Sequence, residues 1–263
     1  MKTKSRITKV ANVGFSVYGD TLGELWLNIV ETILKNGSYE TDENRGRFAV
    51  KNLRFTAGTT DINDSLIEKY GDQKKIDAMK KVVFESETMV DFDITPSFRN
   101  GAKSYKKRLE EGNMIEFVVG RLAKIPESKK AVMVFPTYED YECVLRSPWN
   151  DYLPCITALQ FRVNERGRKR YLDLTLFMRS WDGFQKCAGD LIVVSMLGDI
   201  IREQLEVKLK TKLSRGRLDG FVTDVHIYEN TYENAQNVHF SYKNEVENLK
   251  DEGGNYHGFI VNL

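Results

Sequence analysis

Apolar positions recur at helical spacing through Thr21–Lys35, where Leu22, Leu25, Trp26, Ile29, Ile33 and Leu34 share one side and Asn36-Gly37 ends the run. That pattern predicts an amphipathic helix. The polar, turn-rich SYETDENRGRF follows, and AVKNLRFTAG then alternates well enough for a short strand, which makes NRGR a loop beside it. From Asp61 to about Arg99 the mixed, charged pattern carries one helix, near Gln73–Phe84. Asn113–Ala123 predicts a further helix ending before Pro126, and the continuous apolar run Ala131–Phe135 predicts a buried strand. The strongest β signal is the pair CITALQFRV and YLDLTLFM, separated by the basic turn NERGRKR. Leu191–Val207 is apolar on most sides in its first half, as a central buried helix would be. TDVHIYEN reads as another short strand, and the chain from Asn237 as a polar helix with a turn-rich tail. Strands interleave with helices, with no repeat or Pro/Gly-rich linker, so the expected fold is one α/β (α+β) domain over residues 1–263.

Composition narrows the function. With 263 residues and 41% hydrophobic content the chain can build one large core. Its 39 basic and 38 acidic side chains leave a net +1, so no global field draws it to nucleic acid or membrane, and any anion site is local. No stretch reaches the roughly twenty apolar residues of a membrane span, and MKTKSRITKVANVGF lacks a signal-peptide apolar core, so a cytoplasmic protein is expected. Cys143, Cys155 and Cys187 lack CxxC spacing and read as free thiols. Glycine-rich phosphate motifs are absent, and His226, His239 and His257 stand in no metal-binding spacing.

Several positions carry chemistry beside a plainer reading. Cys155 follows Pro154 at the start of a strand, where a cysteine is by default a small buried hydrophobe. A nucleophilic role needs a partner that favours the thiolate, and Arg179, just after the neighbouring strand, is placed to bring a cation to the sulfur. His226 and Tyr228 are two apart in a strand and share one face. Lys129-Lys130 and Arg45/Arg47 are basic pairs that by default are solvated, and KKRL, RGRKR and KLKTKLSRGR lack the interleaved aromatics of a single-strand binding surface.

In order along the chain stand Pro154-Cys155, Gln160-Phe161, Arg179-Ser180 with Asp182, Asp190, and His226 with Tyr228. This ordered set, spread over Ser128–Asn230, resembles the thymidylate synthase superfamily of pyrimidine nucleotide methyl and hydroxymethyl transferases. The half before Ser128 matches it loosely. The resemblance implies a mixed sheet packed with helices, and a reaction in which the Cys155 thiolate adds to carbon 6 of the pyrimidine so that carbon 5 can attack the methylene of 5,10-methylenetetrahydrofolate. It gives Arg179 two tasks, balancing the thiolate and gripping the nucleotide phosphate. Ser180 joins that phosphate, Gln160 belongs to the nucleotide site, His226 and Tyr228 meet the ribose hydroxyl, and Asp182 meets the pterin ring. Members are homodimers that lend two basic residues, usually an arginine pair, to the partner subunit's phosphate site; here the matching run is Ser128-Lys129-Lys130. Lysine keeps the charge and loses the bidentate geometry. Arg45 in NRGR stands for the family's mobile phosphate loop. Glu85 and Glu87 in VVFESET are the candidates for the early glutamate that organises water near the base, and Tyr105 for the tyrosine near the nucleophile, with Lys106 where glycine usually follows. Ile156 stands where a histidine often follows the nucleophile, and NERGRKR reads as a small insertion.

Asp190 falls where thymidylate synthases carry an asparagine that reads uracil. Cytosine presents an amino donor at carbon 4 and an acceptor at nitrogen 3, so a carboxylate accepts from the amino group and shares a proton with the ring nitrogen. Cytosine-directed members of the superfamily, the CMP and dCMP hydroxymethylases, carry aspartate here. The resemblance therefore implies a CMP or dCMP 5-hydroxymethyltransferase. The alternatives are a divergent thymidylate synthase acting on dUMP, a non-catalytic nucleotide-binding or RNA-binding relative, and an Asp190 that merely caps the helix it precedes.

Overall fold

The apolar alternation of the middle strands builds the centre of the protein. The computed structural model describes residues 7–10, 13–42, 44–89, 102–146 and 152–251. The tail that carries His257 lies outside the described residues, as does the stretch from 90 to 101. Strands β1 (Ile7–Val10), β2 (Gly14–Gly19), β4 (Arg45–Ala57), β9 (Ser214–Tyr228), β7 (Lys169–Met178), β6 (Ile156–Arg166) and β5 (Val132–Val134) lie side by side in that order. Strand β3 (Ser38–Asp42) pairs with β4, and the short β8 (Trp181–Asp182) pairs with β9. The sheet is mixed: β2/β4, β7/β9 and β8/β9 are parallel and the other pairs antiparallel.

Leu159, Phe161, Leu174, Leu176, Leu53, Phe55, Leu218 and Val222 point from these strands into one continuous core. Helices α1 (Leu22–Asn36) and α7 (Cys187–Leu209) cover that face. Helix α1 starts at Thr21, whose hydroxyl caps the Glu24 N–H, and the predicted apolar side is buried. Helix α7 is buried on nearly every side through its first half, in line with the expected central helix. Around α7 pack α3 (Gln73–Phe84) and α5 (Met114–Lys124), while α2 (Ser65–Tyr70), α4 (Tyr105–Glu111) and α6 (Tyr138–Arg146) fill the edges. Helix α8 (Glu229–Asp251) closes over α1 and the ends of β4 and β9. The opposite face of the sheet shows Arg54, Arg162, Arg217, Thr223 and Phe177 outward.

The structure corrects several boundaries. SYETD is strand β3 rather than loop, and only Asn44 of NRGR belongs to a turn, at a φ of 63° that asparagine tolerates. Arg47 then points inward, where Glu40 and Asp224 on the flanking strands hold it. Strand β9 runs for 15 residues where a short strand was expected, because it is hydrogen-bonded to β4 on one side and β7 on the other. Such pairing overrides a weak local pattern. NERGRKR is mostly strand: β6 and β7 extend through it and turn at Gly167-Arg168, with Gly167 at a φ of 63°. The last helix starts at Glu229, eight residues before the expected Asn237.

Candidate active site

Cys155 sits immediately before β6, half-buried, where Pro154 has ended the preceding segment. The N–H of Arg179, at the end of the adjacent β7, donates to the Cys155 carbonyl at 3.0 Å and ties the two strand ends together. The Arg179 side chain folds back over them: Nε donates to the Pro154 carbonyl at 3.2 Å and a terminal nitrogen to the Leu153 carbonyl at 2.6 Å. That leaves the guanidinium 3.8 Å from Cys155 Sγ. The guanidinium is thereby placed to balance negative charge on the sulfur during nucleophilic attack. Cys187, by contrast, is fully buried, and burial pushes its thiol well above the ordinary range, so it is inert.

Cys155 opens onto a cavity of about 510 Å³. One wall is apolar, from Met79, Val82, Val83 and Met89; the other is polar, with Ser180, Asp182, Lys186 and Asp190, and Tyr105 and Tyr152 stand near the thiol. A second hollow of about 240 Å³ beneath Tyr105 is lined almost wholly by aliphatic and aromatic core side chains and offers no chemistry.

Asp190 lies in the first turn of α7, four residues past the N-cap position at Lys186. It therefore does not cap the helix, against the plainer expectation. Its Oδ2 accepts a hydrogen bond from Trp181 Nε1 at 2.8 Å, and its side chain lines the cavity. Burial raises the carboxyl from 3.8 to about 7; the Trp181 N–H and the charge of Lys186 pull it down, and Asp182 pushes it up. At neutral pH the group sits near the balance between acid and carboxylate. Trp181 is pinned in turn, with its ring 5.1 Å from Phe55 and its backbone in register with Val225.

Asp182 is 5% exposed, and its Oδ1 accepts the backbone N–H groups of Phe184 and Gln185 at 3.1 and 2.9 Å. Its Oδ2 accepts from Gln185 Nε2 at 3.3 Å. Through the β8/β9 register it stands beside His226. His226 and Tyr228 do share one face, with ring centroids 4.7 Å apart. Arg45 stacks on the outer side of Tyr228, its Cζ 3.6 Å from the ring centroid. The buried Arg47 grips Asp224 through two bonds of 3.0 and 3.1 Å and lies 3.2 Å from His226 Nδ1. Burial alone would raise the Asp224 carboxyl, but the hydrogen bonds from His226 and Lys51 and the charge of Arg47 hold it well below the usual range.

Other predicted residues lie elsewhere. Glu85 and Glu87 are exposed at the end of α3, where Glu87 pairs with Lys106 and, at 3.2 Å, with Lys107; neither lines the cavity. The helix turns them away because α3 buries Ile76, Met79, Val82 and Val83 instead. Gln160 lies on the open side of the sheet and donates to the Lys129 carbonyl at 2.9 Å. Lys129 and Lys130 precede β5, whose Val132 faces Gln160, five residues along β6 from Cys155, so roughly 16 Å separates them from the thiol of their own chain. Sequence reasoning missed Trp181, Tyr152, Lys186 and Met79. Trp181 carried a signal: an indole between Ser180 and Asp182 needs an acceptor for its N–H once buried.

Comparison with known proteins places the chain in a family. A family model described as thymidylate synthase matches residues 60–249. Among curated relatives, the thymidylate synthases of Streptococcus pyogenes serotype M5 (strain Manfredo) and serotype M12 (strain MGAS9429) are each 25% identical over 205 residues, covering 76% of this chain and 67% of theirs. A thiol backed by a guanidinium, in a cavity with two buried carboxylates, within a matched region of that extent, makes this chain a member of the thymidylate synthase family, whose enzymes use 5,10-methylenetetrahydrofolate as one-carbon donor.

Proposed function

We propose that the chain is a pyrimidine nucleotide C5 hydroxymethyltransferase that converts CMP or dCMP to the 5-hydroxymethyl nucleotide. The observation that carries this reading is the Asp190 carboxyl in the cavity wall with Oδ2 held by Trp181. With that oxygen occupied, Oδ1 is the atom left to meet a base. As a carboxylate it only accepts, which suits the amino group of cytosine and opposes the carbonyl of uracil. Leaving such groups unpaired supports discrimination of about 10⁴-fold in sites built around a hydrogen bond.

The cavity fits the folate. Met79, Val82 and Met89 form an apolar wall for a flat ring, and Asp182 Oδ2, with one side-chain amide on it, keeps capacity for a ring N–H. The folate supplies the one-carbon unit when bound. Cys155 adds to carbon 6 of the pyrimidine, which makes carbon 5 nucleophilic, and Arg179 balances the sulfur's charge. Asp190 holds the base, and Ser180 and Arg179 meet the phosphate beside the cavity. His226 and Tyr228 meet the sugar, with His226 oriented by Asp224 at 3.1 Å and Arg45 stacked behind Tyr228. Lys129 and Lys130, too distant from their own Cys155, serve the phosphate site of a second copy in a homodimer.

A second reading is favoured by one observation. An Asp190 near half-protonation at neutral pH carries a donor as well as an acceptor, the complement of an amide, and so can meet the uracil of dUMP for methylation. Turnover of CMP, dCMP, UMP and dUMP with 5,10-methylenetetrahydrofolate separates the two: conversion of the cytosine nucleotides supports the first, and conversion of dUMP alone overturns it.

A further inference from the structure

Asp190 by itself answers only half of a cytosine. Its Oδ2 is occupied by the Trp181 indole N–H at 2.8 Å, so one oxygen is left for the base. Cytosine shows two atoms on the edge that separates it from uracil, an amino donor at carbon 4 and a lone pair on nitrogen 3. An oxygen that accepts from the amino group supplies no donor for nitrogen 3, and a buried acceptor without a donor weakens binding. Lys186 is placed to supply it. It lines the same cavity and is the one cation among the described residues that do. It stands half-buried at the N-cap position of α7 with near-helical backbone angles (φ −109°, ψ −26°), and its carbonyl accepts the Asp190 N–H at 2.9 Å. Side chains four apart on a helix lie one turn above each other, with Cβ atoms about 5–6 Å apart, a gap that the lysine stem spans. The charge of Lys186 already acts on Asp190, whose carboxyl it pulls down. The hydroxyls of Ser180, Tyr105 and Tyr152 in the same wall can donate or accept, so they do not tell a lone pair from an N–H, whereas an ammonium only donates.

Resting on the cytosine reading of this cavity, we propose that Lys186 is a specificity-determining residue whose ammonium donates to nitrogen 3 of the base while Asp190 Oδ1 accepts from the amino group at carbon 4. The wall then carries a donor-only group and an acceptor-only group one helical turn apart, the complement of cytosine's acceptor and donor. Uracil reverses both atoms: its N3–H meets the ammonium and its carbon 4 carbonyl meets the carboxylate. A proton on Asp190 relieves the second conflict and leaves the first. Lys186 therefore opposes uracil in both protonation states of its neighbour.

The experiment pairs a change in the protein with a change of one ring atom in the ligand. Calorimetry measures the affinities of the wild type and of Lys186→Met, which keeps an unbranched stem, for CMP, dCMP, UMP and dUMP. The same is done for 3-deaza-CMP and 3-deaza-dCMP, in which a C–H group replaces nitrogen 3, and thermal melting follows folding. A hydrogen bond to a charged group is worth about 10- to 100-fold in affinity. The wild type is expected to bind the 3-deaza nucleotides more weakly than their parents by that factor, and Lys186→Met to bind parent and analogue within about twofold of each other. Lys186→Met is also expected to narrow the cytosine-to-uracil affinity ratio by about 10-fold or more. A wild type that binds parent and analogue equally overturns the assignment without any variant. So does a folded Lys186→Met that weakens both alike and keeps the wild-type gap between them, the result for a lysine that supplies charge alone. A wild type that prefers the uracil nucleotides overturns the cytosine reading and the role of Lys186 with it, whereas a preference for cytosine that survives intact in Lys186→Met removes Lys186 and leaves that reading standing.

Discussion

Replacing Asp190 by asparagine changes the pH dependence of stability in a direction that the structure fixes. Burial lifts this carboxyl from 3.8 to about 7, so the folded protein binds its proton more tightly than the unfolded chain does. A group raised in this way contributes stability that is fully present below the unfolded value and is lost as pH rises toward the folded one. At about 1.4 kcal/mol per unit, roughly three units correspond to about 4 kcal/mol lost across that window. The asparagine oxygen can still accept the Trp181 N–H, and the amide does not ionise. Relative to the wild type, Asp190→Asn therefore gains about 2–3 kcal/mol of stability between about pH 5 and pH 7, with little further gain above about pH 8. Urea denaturation of both proteins across that range reads the difference directly. The carboxylates held low by their partners, Asp224, Glu31, Asp140 and Asp199, lose stability as pH falls in both proteins and cancel in the comparison. Parallel stability profiles, with a difference constant to within about 0.5 kcal/mol, would show that Asp190 is not held near neutrality by burial and would sink the argument for its role as reader of the base.

Further outcomes follow from the same geometry. Asp190→Asn is expected to move preference from cytosine to uracil nucleotides, shifting the ratio of kcat/KM values by about 10⁴-fold, and unchanged preference in competition assays contradicts the assignment. In the wild type the ratio of cytosine to uracil affinity rises from about pH 6 to about pH 8 as Oδ1 becomes a pure acceptor; calorimetric titration at several pH values that gave a flat ratio would speak against it. Trp181→Phe removes the N–H that lowers the Asp190 carboxyl, so the pH profile of that ratio moves upward, while an unmoved profile denies the coupling. Mixing inactive Cys155→Ser protein with inactive Lys129→Ala/Lys130→Ala protein restores turnover if the lysines serve the partner's site, and an inactive mixture shows that they do not.

The sequence made legible what local chemistry controls. Helix α1 was readable because Thr21 caps it and its apolar side repeats without interruption. Cys155 was placed at a strand end by Pro154 alone, and the approach of Arg179 followed from two adjacent strands. Strands β1, β2 and β3 were not readable, since their exposed and half-buried positions lack clean alternation, and pairing of β2 and β3 with β4, and of β1 with β2, supplies their order. The alternative of Asp190 as a helix cap arose because an aspartate before an apolar run has that local signature, yet the helix begins three residues earlier, at Cys187. Glu85 and Glu87 fitted a pattern in the chain but fell on the wrong side of the end of α3, which no local rule reports.

The central claim is a hydroxymethyl transfer to a cytosine nucleotide. Its most direct test is mass spectrometry of the product formed from CMP and from dCMP with 5,10-methylenetetrahydrofolate. The account predicts a product that has gained a hydroxymethyl group; a methyl gain, or conversion confined to dUMP, would contradict it.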